Sequence, residues 1–491
     1  MTGVRRAFAW ASLGRYAVLA VNLLAALVLA RLLSPRDYGV STLSAAVIAL
    51  GEGIRALGGG SYLVQRHEIS DNNIRASFTV GLLVTIILTM GLIGLAPPLA
   101  RYFDLPELAP YLRVAALGFA AGAVTNPISA LLARQMAFDR IAILSVLIAV
   151  LGAIAGTGLA LLGFGAMSLA WAGTLSSLGS MLLYLRACKD LSVFRPLLSG
   201  WRSVLAFGAF DGATTVLAQI GESVPFLILG RLLDATAIGI GQRAVLLCLI
   251  PERVILAGVG AVALPALSRQ AREGQDLKAD YVRALELISG AQWPALLTLA
   301  FLADPIVLLV LGPQWRAAIP LVQILSIALL FSFPISLHYP AVVAVGAIRA
   351  MPPVVAIQVL AALGLLTLAA EGGLRAAALS MLLVVPFNAS LSVLQVRHFI
   401  PFSWSSLARA LGRSAIVSAA AAAGPAFMAI FGGPDEDMPM ALAMAAGMLA
   451  GIGGLAGLWV TNHPLLSEML RAARAVRKSP RFAQLFRLGA R

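Results

Sequence analysis

Apolar blocks of roughly 20 residues, the length a helix needs to cross a hydrocarbon core, recur about fourteen times between residues 13 and 461. A water-soluble fold of this length would need about 25% charged residues for its surface. This chain of 491 residues has 12%, against 60% hydrophobic. The expected class is an all-α integral membrane protein. The blocks lie near 13–33, 38–63, 77–100, 110–133, 140–163 and 165–187. Six more follow near 204–231, 237–267, 285–311, 316–346, 351–370 and 374–396, and two near 407–431 and 439–461. The pattern predicts a six-helix bundle over 1–200, a second over 201–400, two additional transmembrane helices over 401–465 and a basic cytoplasmic tail over 466–491.

The first block follows Arg5, Arg6 and Arg15, as a signal peptide would. Its length and the spans behind it read instead as an uncleaved helix. With the N-terminus inside, most of the 36 basic residues fall in cytoplasmic segments, among them Arg75, Arg134, Arg186, Lys189, Arg269, Arg349, Arg397 and the tail from Arg471. The positive-inside rule demands that direction, which places both termini in the cytoplasm. It also accounts for the net charge of +14 without nucleic acid. On the opposite side, the loop GGPDEDMP before the last block is acidic, and GFG near Gly163 leaves room only for a tight turn. The largest soluble piece is SRQAREGQDLKADYVR, from Ser268. Cys188 and Cys248 offer no disulfide framework. His67, His338, His398 and His463 are scattered, so no metal site or cofactor is expected. No nucleophile–base pair points to an enzyme.

The chain also repeats itself. LVLARLLSPRDYGV, from Leu27, aligns without gaps on LILGRLLDATAIGI, from Leu227, matching Arg31 to Arg231 and Gly39 to Gly239. The same offset puts Glu52 on Glu252. An even number of spans separates the copies, so both enter the membrane in the same direction. A parallel repeat follows, with a pseudo-twofold along the membrane normal and a central cleft.

These residues also carry a resemblance. ARLLSPRDYGV, from Ala30, with LGGGSYLVQR, ending at Arg66, resembles the first-two-helix signature of the oligosaccharide flippase (polysaccharide transporter) family. Its superfamily also holds the multidrug and toxin extrusion transporters and the peptidoglycan lipid flippase. GRLLDATAIGIGQRAVLL with ALPALSR, ending at Arg269, resembles the family's seventh and eighth helices. Many relatives carry an acid where this chain has Ala56; here Glu52 and Arg55 supply the charge. The resemblance implies two six-helix bundles forming a V that opens alternately to each side. It also implies a substrate, sugar units linked to undecaprenyl diphosphate, moved to the periplasmic leaflet of the bacterial inner membrane for exopolysaccharide, capsule or lipopolysaccharide synthesis.

Such a substrate brings about two negative charges, which planar guanidinium groups bind bidentately. A charge inside a span costs at least about 2.5–3.5 kcal/mol and normally faces a cavity or partner. Glu52 and Arg55 share a helix face. Gln242 and Arg253 share one on the eighth helix, where Pro251 should introduce a kink. Arg55, Arg253 and Arg243 are the candidates for holding the diphosphate. Glu52, Glu222 and Glu252 are candidates for coupling to H+ or Na+, or for pairing with arginine, and Gln242 and Asn126 for lining the cleft. Internal ion pairing and snorkelling remain open roles for the same arginines. Arg31 and Arg231 read as caps or interfacial anchors. His338, Tyr339 and Asn388 line the cleft or bond neighbouring helices. Gly152/Gly156 and Gly447/Gly451 have the spacing of close helix contacts, whereas Gly58–Gly60 is no phosphate loop. The tail from Arg471 suits anionic lipid, and polysaccharide assembly proteins are the other expected partners.

Three other functions compete. A drug–cation antiporter of the same superfamily needs an acidic pocket, and the inner charge here is at least as cationic. A polysaccharide polymerase needs a sizeable outside loop. A non-transporting assembly scaffold has no use for charges inside the spans.

Overall fold

A computed structural model describes residues 2–55, 70–135, 137–188, 194–197, 199–273, 276–431 and 440–477. The LGGGSYLVQR motif with Ala56 and Gly58–Gly60, the acidic GGPDEDMP loop and the tail beyond 477 lie outside the described residues. By packing, the chain divides into two compact units, 1–242 and 243–491.

The first unit holds α1 (Thr2–Leu32), α2 (Pro35–Arg55), α3 (Asp71–Tyr102), α4 (Leu108–Arg134), α5 (Phe138–Leu161), α6 (Ala166–Ala187) and α7 (Trp201–Leu232). The SPRD motif works as a start signal. Pro35 opens α2, where a missing N–H costs nothing. Asp37 Oδ2 accepts from the Ser34 backbone N–H at 2.9 Å, while Ser34 Oγ accepts from the Asp37 N–H at 3.2 Å. Asp37 Oδ1 accepts a further bond from Ala166 N at 2.8 Å, so one carboxylate holds the first turns of both α2 and α6. The GFG turn before α6 has Gly163 at φ 81° and Gly165 at φ 53°. At Gly165 glycine is needed twice over, because a Cβ there would also come within 2.9 Å of Asp37 Oδ1.

α5 is apolar on every face and leaves Ile143, Leu147, Ile154 and Leu161 exposed, as a lipid-facing helix does. It packs on α1 and α6. Gly152 lies against Ser176, and Gly156 against Ala172 at 3.2 Å and Leu29 at 3.6 Å for an added Cβ, so this glycine pair is a close contact as expected.

Helix α8 (Ala235–Arg272) starts in the first unit and runs into the second, unbroken across Pro251. The second unit continues with α9 (Leu277–Phe301), α10 (Ala303–Val310), a 3-10 turn (Pro313–Ala318), α11 (Ile319–Leu329) and α12 (Phe333–Ala344). After a short 3-10 turn come α13 (Met351–Ala370), α14 (Leu374–Phe399), α15 (Trp404–Phe431), α16 (Met440–Val460) and α17 (Pro464–Arg477). The expected span 316–346 is broken: the 3-10 turn with α11 meets α12 at 42°. A break at membrane depth frees backbone groups that the protein must satisfy itself. α9 does this at Leu330, whose carbonyl oxygen accepts from Trp293 Nε1 at 2.5 Å, and it also ties down the side chain at the break, Gln292 Nε2 donating to Ser332 Oγ at 2.8 Å.

Two further expectations are corrected. The soluble piece from Ser268 is mostly helix, because α8 extends to Arg272 and α9 starts at Leu277 with Asp276 as its cap, accepting from Lys278 N at 3.0 Å. Gly447 and Gly451 are not a close contact; nothing lies within 4 Å of a Cβ on either. The touching pair is Gly453 and Gly457, against Ala420 and Val417 of α15.

Ten helices among the described residues are long and apolar enough to cross a membrane, eleven with the bent pair. Their large apolar side chains are widely exposed, from Ile87 and Leu162 to Leu360 and Trp459. The protein is a multi-pass membrane protein.

Candidate functional site

Within the first unit, α2, α4 and α6 enclose a cavity of about 290 Å³ lined by Glu52, Arg55 and Asn126. Three of the residues singled out from sequence thus meet in one place. Arg55 Nη2 donates to Glu52 Oε2 in an i,i+3 ion pair. The guanidinium also lies 5.0 Å from the Phe119 ring centroid. Its side chain is 15% exposed and that of Glu52 37%, so the cation is the deeper partner and the carboxylate the wetter one. A pair carrying no net charge is how a bundle tolerates a guanidinium inside a span.

The berth for Arg55 is built by α4 and was not foreseen. Gly122 sits beside the guanidinium, and a Cβ there would overlap Arg55 Nη1. One turn earlier, Gly118 lets α4 approach α6, its added Cβ lying 2.9 Å from Thr174 Cα. Thr174 Oγ1 in turn donates to Val114 O at 2.9 Å. The GFAAG spacing in the sequence carried that signal. Tyr111 also lines the cavity and shares a 2.9 Å hydrogen bond with Ser41. Elsewhere in this unit, Glu222 is exposed on α7. Gln242 is half-buried, with Oε1 buried and unbonded among the described residues. The Arg231 guanidinium lies 5.4 Å from the Tyr102 ring centroid, an anchoring contact.

In the second unit, Arg243 is buried, Arg253 is exposed, and Glu252 is half-buried with Ser336 Oγ 3.5 Å from its Oε1. Of the intramembrane polar side chains, His338 bonds a neighbouring helix, sharing a 2.6 Å bond with Gln395. At Asn388 it is the backbone carbonyl that accepts from Gln358, at 2.9 Å, while the side-chain Oδ1 is buried and unbonded among the described residues. Tyr339 is exposed. An apolar groove of about 560 Å³ runs beside α9, α15 and α16, and the bare faces of Gly447 and Gly451 form part of its wall.

A buried polar cluster joins α9, α15 and the turn before α17. Glu286 pairs with Arg413, Oε2 accepting from Nη2 at 3.2 Å and Oε1 lying 2.8 Å from Nε, and His463 Nε2 lies 3.9 Å from that Oε1 and 3.2 Å from Ser414 Oγ. Leu465 N donates to His463 Nδ1 at 3.2 Å, which leaves the neutral imidazole's proton on Nε2. Burial, and then the nearby Arg413 charge, push His463 down from 6.5 to about 4. Because the unfolded chain takes up this proton first, the contribution of a neutral His463 is complete above pH 6.5 and is lost as pH falls towards 4. The loss is limited to roughly 3 kcal/mol, and the Glu286 carboxylate facing Nε2 tempers it. Thermal unfolding in detergent should show this acid slope in the wild type and a flatter one in His463→Asn, whose amide keeps an acceptor for Leu465. Equal slopes would remove His463 as the cause.

The chain is 26% identical over 348 residues to the succinoglycan biosynthesis transport protein ExoT of Rhizobium meliloti, covering 70% of this chain and 69% of that one. It is 22% identical over 324 residues to the lipopolysaccharide biosynthesis protein WzxC of Escherichia coli, covering 65% of each. It thus spans about two thirds of the length of these relatives. The lipid II flippase MurJ, solved in an inward closed conformation, superposes with a TM-score of 0.75 at 14% identity, over 93% of this chain and 99% of that one. At that identity the likeness is one of fold. Residues 28–320 match the family described as polysaccharide biosynthesis protein, and with more than half of its length inside the match, this chain belongs to that family.

Proposed function

We propose that this protein is a flippase that carries undecaprenyl-diphosphate-linked oligosaccharide units across the bacterial inner membrane. The observation that carries the reading is the Arg55 guanidinium held inside a polar cavity of an otherwise apolar bundle. A diphosphate headgroup needs such a cation, and its polyprenyl tail needs apolar surface of the kind the groove beside α16 offers. The kinship to a succinoglycan transport protein and a lipopolysaccharide biosynthesis protein supports the substrate class, and the MurJ-like fold supports movement of a lipid headgroup.

In this reading bundles 1–200 and 201–400 alternate in access, residues 401–465 add two helices, and both termini are cytoplasmic. Arg55, Arg243 and Arg253 bind the diphosphate in turn, and Gln242 and Asn126 line its path. Glu52, Glu222 or Glu252 exchanges H+ or Na+ with the gradient that drives the cycle. The protein makes and breaks no covalent bond, and polysaccharide assembly proteins receive the product.

Reconstitution tests this directly. Vesicles loaded with lipid-linked oligosaccharide in one leaflet should show it becoming accessible to an added glycosidase faster than protein-free vesicles, with the rate following the ion gradient. Vesicles that instead extrude a cationic dye and leave the sugar lipid in place would transfer the protein to the antiporters.

A further inference from the structure

A second cavity lies within the other unit. It measures about 1040 Å³ and opens where the first turns of α9 meet α15 and the turn before α17. α9 contributes Lys278 and Arg283, and α15 contributes Arg409 and Arg413, which are one turn apart on the same face. Two carboxylates, Asp276 and Glu286, stand against these four cations.

Acids offset this lining only in part: Glu468 at the rim also pairs with Arg283, so three carboxylates face four cations. Asp276 is spent on the α9 cap, and its side chain is 67% exposed, 3.8 Å from Lys278. Glu286 is 5% exposed and holds one guanidinium, Oε2 accepting from Arg413 Nη2 at 3.2 Å and Oε1 lying 2.8 Å from Nε. That clamp orients the guanidinium and leaves Nη1 for another acceptor. Among the described residues Arg409 makes a single long 3.4 Å bond, from Nε to Ser405 O, and both terminal nitrogens face no partner there.

The rim identifies the occupant. α17 packs on α9 through Arg283 and Glu468, 3.1 Å apart. It exposes Met469 and Leu470 next to Arg471, the mixed character of a helix lying in the membrane interface. The cavity mouth therefore opens at headgroup level, beside surface suited to acyl chains. A pocket of this size accommodates a drug-sized polar group. We infer that this cavity binds the phosphodiester headgroup of an anionic membrane lipid. This assignment is independent of the transport reading, since it rests on neither Arg55 nor the sugar.

The test uses the full chain in detergent, with retained lipid counted by native mass spectrometry during titration with phosphatidylglycerol, cardiolipin or phosphatidylcholine. The anionic lipids should bind, and Lys278→Gln with Arg409→Gln should raise their apparent Kd about tenfold or more, the loss expected when charge-assisted hydrogen bonds to a phosphate are removed. Arg375→Gln, which removes the same kind of charge from the first turn of α14 outside the cavity, should change little. Arg409→Gln alone serves if the double variant does not fold. Equal retention of phosphatidylcholine, or equal loss in Arg375→Gln, overturns the site. Displacement of the lipid by millimolar pyrophosphate overturns the lipid assignment in favour of a soluble phosphate.

Discussion

Arg55→Gln is expected to lower the rate of lipid-linked oligosaccharide transport about tenfold to a hundredfold at an unchanged protein level. The size follows from a hydrogen bond between a charged group and phosphate, worth about 1.5–3 kcal/mol, at about 1.4 kcal/mol per tenfold. The same loss would arise if Arg55 served only to neutralise Glu52, since removing one partner strands the other in a poorly solvated place. The pair geometry makes the two roles separable. Glu52→Gln removes the carboxylate that occupies Arg55 and leaves the guanidinium over Phe119. If Arg55 binds phosphate, Glu52→Gln keeps substrate binding, and the double variant with Arg55→Gln is as inactive as Arg55→Gln alone. If pairing is the whole role, the double variant recovers, because no stranded charge remains. A double-mutant cycle on initial flipping rates in vesicles reads the difference, and recovery in the double variant would remove Arg55 from the phosphate-binding set.

How far this site was legible depends on which of its properties are local. The apolar blocks are local, so nearly every helix was placed from sequence, with errors at the ends. Residues 268–283 read as a loop because they are charged; α8 and α9 nevertheless run into them, and Asp276 supplies a cap that makes a tight turn sufficient. Helical spacing gives the phase of a side chain but not its neighbour. It put Glu52 beside Arg55 correctly, yet it could not say that Gly122 and Phe119 of α4 make the berth. The same ambiguity misled at the last helix pair. Gly447/Gly451 and Gly453/Gly457 have identical spacing, and only the second pair faces α15. Arg253 matched Arg55 in residue type and proximity to a glutamate, yet Arg253 is exposed where Arg55 is enclosed.

Gly39→Ala and Gly239→Ala are expected to destabilise the protein by similar amounts, about 1–3 kcal/mol each, the usual cost of forcing a methyl into a filled contact. Within the first unit the starts of α2 and α8 cross at these glycines. A Cβ on Gly39 would overlap the carbonyl oxygen of Ala235, and one on Gly239 that of Pro35. Pro35 and Ala235 are themselves equivalent positions of the sequence repeat, so each copy's glycine receives the other copy's helix start. That reciprocity is what a local twofold relation between similarly directed copies produces, and a chance likeness of leucine-rich helices does not. Backbone oxygens cannot swing aside as a flexible side chain can, so both substitutions must push the helices apart. Gly447→Ala and Gly451→Ala provide the contrast. Their Cβ atoms meet nothing within 4 Å, and alanine is favoured over glycine in a helix by about 1 kcal/mol, so these variants should match or exceed the wild type. Thermal unfolding of the four purified variants in detergent decides the matter. A large drop for Gly39→Ala without one for Gly239→Ala would mean that the two copies do not share an equivalent contact, and the parallel repeat would lose its structural support.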